Sequence, residues 1–201
     1  SIGVALDIDG VLLRGKHIIP QARDAVQYLL SSSRIQTLFV TNGGGVTEDR
    51  KADDLSNKLN IHIKPNQIVL SHTPFRSLVQ NYRDSSVLVV GGNSCVDVAK
   101  HYGFNKIVTS AHIHAYNSDI YPAKSIGRHN GSISASNDHE LIEAAFVFAD
   151  SCDWGLDIQV MTDLLLRYED YNDKAGKRFL IYACNADLVY NDTHPSPRYT
   201  Q

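Results

Sequence analysis

Short apolar runs of strand length alternate with stretches of helical spacing along this chain, and that alternation limits the possible folds more than any other feature. "IGVAL" is followed by "PQARDAVQYLLSSS", where Ala22, Ala25, Val26, Leu29 and Leu30 recur at helical spacing. "IQTLFV", stopped by "TNGGG", is followed by the polar "TEDRKADDLSNKL", with Thr47 placed as its N-cap. "NQIVLS" is a third apolar run, and Thr73 before Pro74 reads as the N-cap and first residue of a further helix. After "RDSS" the alternation restarts with "VLVVGG", "NSCVDVAKHYGF" and "NKIVTS". A polar, Gly/Ser-rich stretch from residue 111 to 138 reads as a long loop. "AAFVFAD", the helical "GLDIQVMTDLLLRYED" and the strand-like "KRFLIYACNADLVY" complete the pattern. In that helix Ile158, Met161, Leu164 and Leu165 share a face expected to pack in a core. Strands alternating with helices imply right-handed βαβ units around mostly parallel sheets, so the expected class is α/β. Two groups of such units are expected, one over residues 1–83 and one over 84–185, with 186–201 as a return segment.

Composition removes several function classes. Apolar residues make up 43% and charged residues 20%, ordinary values for a globular protein. The net charge is -3 and no dense Lys/Arg patch occurs, so the footprint of a nucleic-acid binder is missing. No apolar run approaches the roughly 20 residues that span a bilayer, so no membrane partner is expected. Cys95, Cys152 and Cys184 are far apart and form no CxxC pair, which reads as free thiols in a reducing, intracellular compartment. His112 and His114 lack the matching Cys or His pair of a zinc site and read as solvated loop histidines. The first residue is serine, which reads as a processed or trimmed start with any targeting segment upstream.

Two carboxylates carry the chemistry. Asp7 and Asp9 stand at the end of the first apolar run, with Gly10 next. In an open parallel sheet ligands sit at the carboxyl ends of the strands. Residues i and i+2 of an extended chain point to one side, so both carboxylates can face one crevice. Two close anions repel unless a cation or a shared proton intervenes, and Mg²⁺ suits hard carboxylate oxygens. One carboxylate can attack phosphorus, while the other carries a proton to the leaving oxygen and takes one from water. The second run ends in Thr41, Asn42 and Gly43, followed by two further glycines. A hydroxyl, an amide and unshielded backbone N–H groups ahead of a helix make the phosphate-holding half of such a site.

"DIDGVL" followed some thirty residues later by "TNGG" resembles the first two motifs of the haloacid-dehalogenase-like superfamily. The frame is most similar to subclass IIA, which includes 4-nitrophenyl-phosphate and pyridoxal-phosphate phosphatases. "GVLLRG", "TNGGG", "VLVVGG", "HYGF" and "DWGLDIQVMTDLL" resemble the cat-eye-syndrome critical-region subfamily. The resemblance implies a Rossmann-like core with an inserted α/β cap, here residues 84–185. It implies an Mg²⁺-dependent phosphatase of a small phosphorylated metabolite. Asp7 matches the nucleophile that forms an aspartyl-phosphate and a metal ligand. Asp9 matches the general acid/base, whose carbonyl also binds the metal. Thr41 matches the residue that hydrogen-bonds the phosphoryl group, and Asn42 and Gly43 shape its loop. A mitochondrial location is implied by the subfamily, otherwise a cytoplasmic one, and homodimerisation is left open.

The chain departs from the family in two motifs. It has no Gly-Lys-Pro lysine and no Gly-Asp…Asp acidic pair. Residues 186–201 are accordingly expected to return to a core cut off before those motifs, leaving "IGVAL" as an edge strand. The alternative function is a catalytically weak protein of the same fold that serves binding or assembly. A dinucleotide binder, suggested by "VLVVGGNS", lacks GxGxxG and a strand-end acid at the right distance. Asp153 and Trp154 read as packing residues before substrate contacts, and Asn185 and Asp187 as a hinge or turn.

Overall fold

The structure is a computed structural model that describes residues 2–122, 142–172, 178–187, 189–190, 196 and 198–199. In chain order the first elements are β1 (Ile2–Asp7), β2 (Leu13–Arg14), β3 (His17–Ile18), α1 (Ala22–Ser31), β4 (Ile35–Thr41), α2 (Glu48–Leu59) and β5 (Ile68–Leu70). They are followed by α3 (Val79–Tyr82), β6 (Ser86–Val90), α4 (Asn93–Tyr102), β7 (Lys106–Val108), α5 (Ser110–Tyr116), β8 (Ile142–Val147), α6 (Trp154–Asn172), β9 (Leu180–Ala183), β10 (Val189–Tyr190) and β11 (Arg198–Tyr199). The fold is α/β with parallel sheets, the class the alternation implies.

Two compact units are present, Ser1–Pro74 with Asn185–Thr200, and Phe75–Cys184. The division falls after Pro74, not after residue 83 as the "RDSS" break suggests. Phe75, Leu78, Val79 and Tyr82 pack into the core of the second unit, and those apolar contacts draw the segment before "RDSS" into it.

The first unit has a parallel sheet of order β1-β4-β5. Asp7 pairs with Val40, and Thr41 with Leu70, so the strand ends that carry the candidate site are neighbours. Phe39 and Thr37 are buried on one face of β4, and Ile8, Val26, Leu55 and Leu59 fill the core around it. Among the described residues β1 has β4 as its one strand neighbour, and Ile2 is 64% exposed. Helix α2 starts where the sequence expects it, with the Thr47 hydroxyl accepting the Arg50 N–H at 3.4 Å.

Thr73 does not cap a helix. Its hydroxyl accepts the Leu70 N–H at 2.8 Å and donates to Glu48 Oε1 at 2.8 Å. The hydroxyl thereby ties the end of β5 to the first turn of α2, and residues Thr73–Leu78 run on as a 3-10 helix. Glu48 is buried, and the N-terminal end of α2 is a favourable place for its carboxylate.

The second unit has the parallel order β7-β6-β8-β9. Every residue of β6 is buried, because both sheet faces are covered. Val87 and Val89 face a cluster with Cys95, Val98, Phe104, Phe146 and Phe148. Leu88 and Val90 face a second cluster with Ala145, Leu156, Val160 and Met161. Phe146 is the hub of the first, with ring centroids of Phe104, Tyr182 and Phe75 at 4.8, 4.9 and 5.2 Å.

Three local expectations change in this unit. Helix α6 buries Leu156, Val160 and Met161, with Leu164 partly buried, whereas Ile158 is 54% and Leu165 36% exposed. The buried stripe is therefore rotated from the one read in sequence, because the sheet takes the face that continues from Leu156. Part of the supposed loop is helical: Thr109 caps α5, accepting the His112 N–H at 3.2 Å while its own N–H donates to the His112 ring. His112 and His114 thus lie on a helix, and His114 Nε2 is 3.3 Å from the Tyr121 carbonyl. Most of the remaining loop lies outside the described residues. Asp153 caps α6 by accepting the Leu156 N–H at 3.1 Å, and Trp154 packs beside the second cluster. The cysteines are free thiols, Cys95 buried and Cys152 exposed. Among the described residues no helix is long and apolar enough to cross a membrane.

Candidate active site

Asp7 is the last residue of β1, and Asp9 lies two positions beyond its partner-facing end. Ile8 between them is fully buried, while both aspartates are exposed. Alternation about this apolar anchor keeps both carboxylates out of the core. Ile8 is fixed by its N–H on the Val40 carbonyl at 3.2 Å, and its own carbonyl accepts the N–H groups of Leu12 and Leu13 at 3.0 and 2.9 Å. The chain turns at Gly10, whose φ of 95° is costly for residues with a Cβ. One oxygen of Asp7 accepts the Ile8 N–H at 2.9 Å.

On the neighbouring strand end, Thr41 is buried and its hydroxyl donates to Asp9 Oδ2 at 2.8 Å. The Gly43 N–H donates to the same hydroxyl oxygen at 2.9 Å. A Cβ at Gly43 would meet Thr41 Oγ1 at 3.2 Å and Asp9 Oδ2 at 3.9 Å. The missing side chain therefore leaves open the space directly in front of this hydroxyl and carboxylate. Thr41, Gly43 and Asp9 are thus brought together, with Asp7 on the same strand end. The N-terminal turn of α2 follows within a few residues.

Asn42 is arranged differently from its neighbours. Its exposed amide nitrogen donates to Asp187 Oδ2 at 2.8 Å. The N–H of Asp187 in turn donates to Asn185 Oδ1 at 3.1 Å, the turn expected at that position. The link to Asn42 was not legible in sequence, because 145 residues separate the partners. Sequence reading also missed the buried Glu48, whose carboxylate accepts the Thr73 hydroxyl at 2.8 Å at the start of α2.

The oxygen atoms of Asp7 and Asp9 are hard donors of the kind that Mg²⁺ takes. Among the described residues no group of three or more His, Cys, Asp or Glu side chains is placed to hold a metal ion. By donor type the two aspartates suit such an ion, and among the described residues they do not by themselves complete its donor set.

The parallel strands place Asp7, Asp9, Thr41 and Gly43 at neighbouring strand ends, and comparison with known proteins gives the family. Residues 4–105 match the haloacid dehalogenase-like hydrolase family, and the chain belongs to it. A mitochondrial hydrolase of Saccharomyces cerevisiae is 37% identical over 211 residues, covering 100% of this chain and 59% of the relative. Among solved structures, a hypothetical protein of Pyrococcus horikoshii superposes with a TM-score of 0.66 at 18% identity, covering 100% of this chain and 64% of that one. A glycerol phosphate phosphatase of Mycobacterium tuberculosis, solved with magnesium, gives a TM-score of 0.61 at 18% identity, with 99% and 48% covered. The chain thus spans about three fifths of the yeast relative, 59% of its length.

Proposed function

We propose that this chain carries the phosphoryl-accepting part of a magnesium-dependent phosphatase that acts on a small phosphorylated metabolite in the mitochondrion. The observation that carries the proposal is the Asp9–Thr41–Gly43 arrangement beside Asp7, with room in front of it that any side chain at residue 43 would fill. The magnesium solved with the mycobacterial phosphatase and the name of the yeast relative support the metal and the location.

In this reading the Asp7 carboxylate attacks phosphorus, and the bond from phosphorus to the ester oxygen breaks. The leaving alcohol takes the proton of Asp9. Asp9 then takes a proton from water as that water attacks the aspartyl-phosphate, which releases inorganic phosphate and regenerates Asp7. With substrate in place the Thr41 hydroxyl would turn its one hydrogen from Asp9, and the Gly43 N–H would turn from the Thr41 hydroxyl, toward the oxygens of the transferring group. Oxygens of Asp7 and Asp9 would hold the metal, which supplies positive charge against the phosphoryl group. The second unit, Phe75–Cys184, is in this reading the inserted cap.

The test is phosphate release from p-nitrophenyl phosphate and a panel of small phosphomonoesters, with magnesium and with chelator, by the full protein that contains this chain. Turnover should require magnesium and fall to background in Asp7→Asn. Equal release by wild type and Asp7→Asn would overturn the proposal and favour the binding or assembly role.

A further inference from the structure

We infer that Asp187 is a positioning residue for the Thr41–Gly43 loop, setting the orientation of the Asn42 amide from the segment where the chain re-enters the first unit. This rests on the phosphatase reading above for its functional consequence, but the contact itself stands independently. The loop is held by side chains from two directions. Thr41 donates to Asp9 at 2.8 Å, and Asn42, the next residue, donates to Asp187 at 2.8 Å.

The chemistry of the pair gives the contact its meaning. An ionised carboxylate only accepts hydrogen bonds, so Asp187 selects the NH2 end of the amide and turns the Oδ1 end elsewhere. A primary amide nitrogen has two hydrogens, and fixing one fixes the direction of the other. Without an acceptor at residue 187, the broad, two-fold terminal torsion of asparagine would leave both ends free to exchange. Asp187 is in turn presented by the Asn185 turn, with its N–H on Asn185 Oδ1 at 3.1 Å. Asn185 is the residue at which the first unit resumes.

Stability alone is a poor reason for this bond. Both Asn42 and Asp187 are exposed, where a hydrogen bond competes with water and contributes little to the fold. Orientation of a residue adjacent to the phosphoryl-binding hydroxyl is what the geometry adds. Asp187 acts through Asn42 and touches no reacting atom.

The experiment uses Asp187→Ala, Asp187→Asn, Asn42→Ala and the Asp187→Ala/Asn42→Ala double variant in the full protein. Asp187→Ala should raise the KM for p-nitrophenyl phosphate several-fold and leave kcat within about two-fold, as for loss of ground-state positioning. Asp187→Asn retains an acceptor oxygen and should stay within about two-fold of wild type. The double variant should be no worse than Asn42→Ala, because both changes remove one link. In parallel, the side-chain NH2 resonances of Asn42 are followed by 15N NMR, and should shift in Asp187→Ala and hold in Asp187→Asn. Unmoved Asn42 resonances in Asp187→Ala would overturn the inference, as would single-variant effects that multiply in the double. Absence of turnover in the wild type would sink the phosphatase reading instead, and the NMR comparison would still decide the contact.

Discussion

Thr41→Val removes one hydroxyl from a buried side chain that is 3% exposed, and keeps its volume and branching. No cavity opens, so the stability cost is the loss of two hydrogen bonds, to Asp9 at 2.8 Å and from Gly43 at 2.9 Å. A bond to a charged group is worth roughly 1.5–3 kcal/mol when its partner is left dry, and a neutral one about 0.5–1.5 kcal/mol. Asp9 and Gly43 are exposed, so water takes over much of what the hydroxyl supplied. The expected destabilisation is therefore only about 1 kcal/mol, read from the urea midpoint at unchanged m-value. Turnover should respond far more, because the same hydroxyl faces the transferring phosphoryl group in the proposed mechanism. Loss of one such preorganised donor costs roughly 100-fold or more in kcat. Thr41→Ser gives the opposite pattern: it retains the hydroxyl but loses a buried methyl worth about 1 kcal/mol, so it should keep most of the turnover. If Thr41→Val turned over within two-fold of wild type, or if Thr41→Ser were as inactive as Thr41→Val, the assignment of the hydroxyl to the phosphoryl group would be wrong.

Two further outcomes follow from the second unit. Phe146 is fully buried and central to the aromatic cluster, so Phe146→Ala should destabilise by about 3–5 kcal/mol in urea unfolding; a cost below 1 kcal/mol would mean the cluster is not packed as described. Burial pushes the Asp157 carboxyl above its ordinary value of 3.8, with the hydrogen bond from the Ser151 hydroxyl partly offsetting this and Asp153 adding to it. A raised folded value means that the stability of the neutral acid is fully present below 3.8 and is lost as pH rises through the folded value. Asparagine stays neutral throughout and keeps an acceptor for Ser151. Asp157→Asn should thus melt with wild type in acid and above it at neutral pH, and a variant that gains no stability relative to wild type between acid and neutral pH would refute the burial argument.

Much of this protein is legible in its local sequence, for a physical reason. Strand and helix periods are short-range, so the runs "IQTLFV" and "VLVVGG" and the helix capped by Thr47 stand where their patterns put them. The exposure of Asp7 and Asp9 on either side of the buried Ile8 follows from the same short-range alternation. The loop glycine at position 43 follows the same logic, since a motif of neighbours in sequence is also a set of neighbours in space. Other features depended on contacts between distant parts of the chain. The boundary after Pro74 was set by Phe75, Leu78 and Tyr82 finding Phe146 and Phe148, which no local pattern announces. Helix α6 has more apolar positions than one face can bury, and the sheet chose Leu156 and Val160 over Ile158 and Leu165. Thr73 had the sequence context of a cap, but the buried carboxylate of Glu48 offered its hydroxyl a better partner. Asp187 met Asn42 only because folding returned the chain to its first unit, so tertiary structure alone decided which way that amide points.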